Sequence, residues 1–304
     1  MSPLQSQGPG GLLRRVDQHL RRWVRSVLYE LRRTRRVIVA PESRPTGEPP
    51  IFILGVHRSG TTLVRLILDS HSRIACPPES FFLLPLAGVL SDPKSVEGLT
   101  AMGFAREHVL QRLREAASYF FEMYAASRSK PRWADKTPSY VGILDFIEGL
   151  YGPACRYVII YRHGLDAACS IAGMGIRDVE PHIQACQGDA HAGAARYWAE
   201  QCGKLLDFQA RHASRCFELR YEQLARDPEP DLRRLFEFLG ERWEPEVLRF
   251  HEKPHDHWVG LQDATAASTK GFKPRVGVWR DQPAEVVERM RRVAGPMLVR
   301  LGYD

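Results

Sequence analysis

The run Ile51-Phe-Ile-Leu-Gly-Val-His-Arg-Ser-Gly-Thr-Thr62 constrains this chain more than any other stretch. Its first four residues are apolar and suit a strand buried on both faces, as in a parallel sheet. Gly55 and Gly60 then bracket a turn, and Leu63, Leu66 and Ile67 recur at helical spacing. A strand that turns directly into a helix aims free N–H groups and the positive helix end at one spot, which makes an anion cradle. The glycine spacing is that of the nucleotide phosphate loop, GxxxxGK[ST], but Thr61 stands at the lysine position. The cation has moved into the loop, to Arg58, with Ser59, Gly60, Thr61 and Thr62 as donors. A γ-phosphate is usually managed with that lysine and Mg²⁺. A group of lower charge needs only a fixed cation and N–H donors, so no metal is expected.

The rest of the chain repeats the pattern. Arg156–Tyr161 is a second apolar run, followed by a helix from about Leu165. Residues 190–212 read as helix and Cys216–Leu219 as a strand. Strands alternating with helices predict an α/β fold, a three-layer sandwich with a central parallel sheet, like that of P-loop kinases. Ligands of such sheets sit at the C-terminal ends of the strands. Arg162 and Ser170 follow the second strand across a turn and helix start, where an arginine can grip a phosphate bidentately. The plainer reading of Arg162 is an ordinary salt bridge.

The phosphate loop, with Asp69-Ser-His-Ser-Arg-Ile-Ala-Cys-Pro-Pro-Glu79 behind it, resembles the sulfotransferases that use 3′-phosphoadenosine-5′-phosphosulfate (PAPS), most of all the tyrosylprotein sulfotransferase branch. The likeness runs over roughly residues 51 to 304 and is patchy between about 85 and 130. It implies in-line transfer of a sulfuryl group to an acceptor hydroxyl, leaving adenosine 3′,5′-bisphosphate. By that resemblance Arg58 and residues 59–62 hold the 5′-phosphosulfate, and Arg162 and Ser170 the 3′-phosphate. Tyr221, in Arg220-Tyr-Glu-Gln-Leu224, helps hold the nucleotide, and Gly271–Trp279 closes over it with Lys273, Lys270 and Arg275 as rivals for the contact. Met174 stands where the family often has a basic residue, and Arg177 is a substitute. Glu79 matches the family's catalytic base and Lys136 its cation near the transferring group; without the resemblance both read as solvated charges. His57, inside the loop, is a rival base. Two other readings are a P-loop small-molecule kinase, which the missing lysine opposes, and a non-catalytic nucleotide-binding module, which would need neither Glu79 nor Lys136.

Charge and cysteines bound the acceptor. Residues 1–40 hold nine arginines against Asp17 and Glu30, so they carry the whole formal excess of +7. The neutral remainder argues against nucleic acid as a partner. Leu13, Val16, Leu20, Val24, Val27 and Leu31 predict an amphipathic helix over 12–36, ahead of a Pro-rich linker that ends a basic extension, 1–47. Such a helix can lie on an anionic membrane or pack on its own domain or on a second copy. The catalytic domain is then 48–304. Six cysteines form no CxxC pair. Cys76 and Cys216 match family cysteines, but the positions where the resemblance puts their partners, near Trp133 and Ala210, are not cysteine. With no secretory signal or membrane span in the sequence, the expectation is a cytoplasmic enzyme acting on a sugar, lipid or secondary metabolite rather than protein tyrosine. His251, His255 and His257 cluster, but Pro254 breaks the spacing a metal site would use.

Overall fold

The computed structural model describes residues 47–256, 271–272 and 274–303, all within a unit spanning Glu42–Asp304. The helix expected at 12–36, Lys270, Lys273 and His257 lie outside the described residues.

Five strands, β1 (Ile51–Leu54), β2 (Ile74–Ala75), β3 (Arg132–Lys136), β4 (Arg156–Tyr161) and β5 (Cys216–Arg220), form one parallel sheet in the order β2-β3-β1-β4-β5. Successive side chains leave a strand on opposite faces, and two separate cores result. Phe52, Leu54, Trp133, Tyr157, Ile159 and Tyr161 enter one. Ile51, Ile53, Ala134, Val158, Ile160 and Leu219 enter the other. This is why β1, and β4 after Arg156, read as unbroken apolar runs.

The helices used below are numbered as they come. The second core is covered by α1 (Thr61–Ser70), through Leu63, Val64 and Ile67, and later by α5 (Pro228–Leu239). The first is covered by α2 (Arg106–Ser127), α3 (Gly164–Ile171), α4 (Ala190–Arg211) and α6 (Ala284–Arg300). Helix α4 starts where it does because the Asp189 carboxylate accepts the His191 and Ala192 N–H groups, both at 3.0 Å. The sandwich and the strands expected at 51–54, 156–161 and 216–219 are all present. No helix among the described residues is long and apolar enough to cross a membrane.

Strand β3 has no apolar signature, because three of its five residues, Arg132, Asp135 and Lys136, are charged. All five are nevertheless buried. Arg132 donates there to the Pro49 and Leu239 carbonyls, at 2.6 and 2.7 Å, and to the Glu241 carboxylate at 3.0 Å. The chain leaves β1 toward β2 at one edge and leaves β4 toward β5 at the other, so the crevice at the C-terminal ends of β1 and β4 is the switch point where such sheets bind ligands.

Candidate active site

The phosphate loop follows β1, Lys136 ends β3, Arg162 follows β4 and Tyr221 follows β5, all at C-terminal strand ends, while Glu79 comes after β2 and Ser170 lies on α3. The loop needs its glycines. Gly60 has φ 96°, and a Cβ there would lie 2.6 Å from Cδ2 of Tyr221 and 3.2 Å from Cδ1 of Ile160. Arg58 is itself left-handed, with φ 66°. The turn closes through Ser59 N–H to the Val56 carbonyl at 3.1 Å. Helix α1 begins at Gly60 with no side-chain cap, so its first N–H groups face the crevice.

The loop is tied to its neighbours by arginines. Arg58 Nε donates to Ser170 Oγ at 2.9 Å, joining two groups that the sequence placed at opposite ends of the donor. Arg162 donates to the Arg58 carbonyl at 2.7 Å and the Arg275 carbonyl at 2.5 Å, with its guanidinium 4.6 Å from the Tyr221 ring centre. The Tyr221 hydroxyl accepts the Arg275 N–H at 3.3 Å. Burial, reinforced by the charges of Arg162 and Arg275, holds the Arg58 guanidinium below its usual range. Three arginines gathered this way favour an anion between them. Two buried polar atoms fit that need: neither Ser59 Oγ nor Arg162 Nε has a hydrogen-bond partner among the described residues.

Lys136 and Glu79 meet at the mouth of the cradle in a direct ion pair. Lys136 Nζ also lies 3.4 Å from Thr62 Oγ1, so one cation links the carboxylate to the first turn of α1. Lys136 is 3% exposed. It is therefore no solvated charge. His57 is buried, with Nδ1 2.8 Å from the Tyr197 hydroxyl. Burial pulls its imidazole below the ordinary range, with Lys136 and Arg58 adding to the effect against Asp178 and Glu79. Met174 is 39% exposed, and Arg177 is exposed on a short turn, Arg177–Val179. His255 spans Asp69 Oδ2 at 2.6 Å and the Phe250 carbonyl at 2.8 Å, and no metal-holding cluster occurs among the described residues. All six cysteines are free thiols.

Two carboxylates escaped the sequence reading. Asp166, fully buried on α3, accepts the Gly277 N–H at 2.7 Å and the Trp279 N–H at 3.2 Å, holding the late loop over Arg162. Its signal was an acid inside Leu165-Asp-Ala-Ala168, an otherwise apolar stripe. Asp135 is fully buried on the opposite face of β3 from Lys136. Burial pushes its carboxyl up to about 7, against the pull of the Ser80 and Thr137 hydroxyls and Lys136.

A parallel sheet thus carries an arginine-lined loop at its switch point with a Lys–Glu ion pair beside it. Residues 49–245 match the model of the sulfotransferase family, and the chain belongs to that family of transferases. It is 29% identical over 273 residues to protein-tyrosine sulfotransferase A of Caenorhabditis elegans, covering 84% of this chain and 67% of that protein. The nodulation protein NoeE of Sinorhizobium fredii is 27% identical over 290 residues, covering 86% and 68%. Among solved structures, the sulfotransferase domain from the curacin biosynthetic pathway superposes with a TM-score of 0.58 at 21% identity, over 84% of this chain and 98% of that one.

Proposed function

We propose that the protein transfers the sulfuryl group of PAPS to an acceptor hydroxyl. The observation that carries this reading is the link Glu79–Lys136–Thr62, which sets a carboxylate and a cation at the opening of an arginine-rich anion cradle. The α1 N-terminus, Ser59 and Arg58 would hold the 5′-phosphosulfate. Arg162, with Ser170 and the ring of Tyr221, would hold the 3′-phosphate end, and Arg275 is the described rival of Lys273 for the closing contact. Glu79 takes the proton of the acceptor hydroxyl, as a positioned general base. Lys136 would stabilise the charge that collects on the leaving phosphate or the sulfuryl oxygens during transfer. Calorimetry in EDTA should show adenosine 3′,5′-bisphosphate binding. Strict dependence on Mg²⁺, or tighter binding of ATP, would turn the reading toward a kinase.

The acceptor we infer is a sugar, lipid or secondary metabolite. The free thiols at Cys76 and Cys216 support this, since the disulfides implied by the resemblance have no partners here. The names of relatives such as protein-tyrosine sulfotransferase A favour a peptide tyrosine instead. Labelled PAPS offered to a tyrosine-containing acidic peptide and to a glycolipid extract separates the two, and sulfation of the peptide alone overturns the small-molecule choice.

A further inference from the structure

Glu79 is followed by a strained turn. The Phe82 N–H donates to the Ser80 carbonyl at 2.7 Å, a bond between residues two apart, and Phe81 between them has φ 55°. Turns of this kind with a positive central φ are rare, and a bulky aromatic at such a φ is an outlier. They persist only where the surroundings over-determine them.

The surroundings here come from the chain just after Lys136. The Ser80 N–H donates to Thr137 Oγ1 at 3.1 Å. The Ser80 hydroxyl lies 2.7 Å from the Tyr140 hydroxyl, and that same Tyr140 oxygen accepts the Leu83 N–H at 3.1 Å. Tyr140 is completely buried, on the short turn Pro138–Ile143 that continues from β3. Burial and the nearby Asp135 push its phenol upward, so it keeps its proton and can donate to Ser80 while accepting from Leu83. One hydroxyl thus fastens both sides of the bend that carries Glu79 to the segment that carries Lys136.

We infer that Tyr140 is a positioning residue for the transfer reaction: its hydroxyl holds the Ser80–Phe82 turn in its strained form and thereby fixes Glu79 against Lys136. The inference rests on the reading of Glu79 as base. Phenylalanine at 140 would fill the same space but leave the Leu83 N–H without its acceptor. Phe81 is then free to relax toward negative φ and swing Glu79 away from the pair.

Three variants test this: Tyr140→Phe, Glu79→Gln and the double. Hydrogen–deuterium exchange of the peptide spanning residues 79–84 needs no acceptor; in Tyr140→Phe it should speed up at least about tenfold, following the lost bond. Unchanged exchange overturns the inference. Turnover is read as adenosine 3′,5′-bisphosphate released from PAPS, with p-nitrophenol as surrogate acceptor and with water alone. Tyr140→Phe should lower kcat by about 10²-fold, the scale of a misplacement near 1 Å, with the KM for PAPS unmoved. In the Glu79→Gln background it should change turnover by no more than about twofold, because both act through one group. A full additional loss on top of Glu79→Gln means Tyr140 acts elsewhere and overturns the inference. Wild-type turnover in Glu79→Gln alone overturns the reading of the base instead, and leaves the exchange result to judge the turn.

Discussion

Replacing Arg162 with alanine should weaken binding of adenosine 3′,5′-bisphosphate far more than binding of adenosine 5′-monophosphate. Two of the three guanidinium nitrogens are already committed, to the carbonyls of Arg58 and Arg275 at 2.7 and 2.5 Å. Only Nε is buried with no partner. One charge-assisted bond from Nε to a phosphate oxygen is worth about 1.5–3 kcal/mol. That corresponds to about 10- to 150-fold in Kd. The carbonyl bonds and the Tyr221 contact hold two loops together for either ligand, so their loss subtracts a shared amount from both. The quantity to measure is the ratio: titration calorimetry with each nucleotide, in EDTA, on wild type and variant at one temperature. A melting curve checks that the variant remains folded, since two orphaned carbonyls cost stability on the order of 1–3 kcal/mol each. Equal losses for the two nucleotides would refute the assignment and leave Arg162 as a brace between loops.

Other perturbations follow from the same geometry. Gly60→Ala forces a Cβ to 2.6 Å from the Tyr221 ring at φ 96°, so Tm should fall by roughly 3–8 °C and nucleotide binding should weaken; an unchanged melting curve counts against the loop geometry. Asp135 has its carboxyl raised to about 7, so between about pH 4 and 7 the folded protein holds a proton that the unfolded chain has lost. Stability from this group is therefore lost as pH rises through that window, by on the order of 4 kcal/mol in the limit. Wild type should lose ground to Asp135→Asn in urea melts as pH goes from 5 to 8, and a constant difference would show that Asp135 does not titrate there. The basic extension is tested by flotation with anionic vesicles: binding by the full chain, absent from a version starting near Pro50 with equal nucleotide affinity, would make residues 12–36 a membrane anchor.

The strands easiest to read from sequence were β1 and β4, whose residues are mostly apolar and buried, with β5 marked by the shorter run Cys216-Phe-Glu-Leu219. The phosphate loop was legible because its two glycines and Arg58 obey a local rule of spacing. Strand β3 was not, because three of its five residues are charged and the groups that partner Arg132, such as the Leu239 carbonyl and Glu241, are remote in sequence. The Glu79–Lys136 pair rested on family resemblance alone; neither residue carries a local sign that it is withdrawn from water. Asp166 and Tyr140 were missed for a related reason. Their partners are backbone N–H groups of other segments and, for Tyr140, the Ser80 hydroxyl as well, and no local pattern marks such bonds.

The bonds from Asp166 to Gly277 and Trp279 span 111 and 113 residues of chain. In a growing chain these contacts form late, because Gly277 and Trp279 are made after all five strands and a long intervening loop must be closed to reach Asp166. A nascent polypeptide that has already paired all five strands would still lack the segment that we propose closes over the nucleotide. On that proposal, nucleotide affinity would report on the completion of folding. Bound nucleotide in turn stabilises only the finished form, by RT ln(1 + [L]/Kd). In a cell, the supply of donor would influence how long newly made molecules survive as well as how fast they turn over.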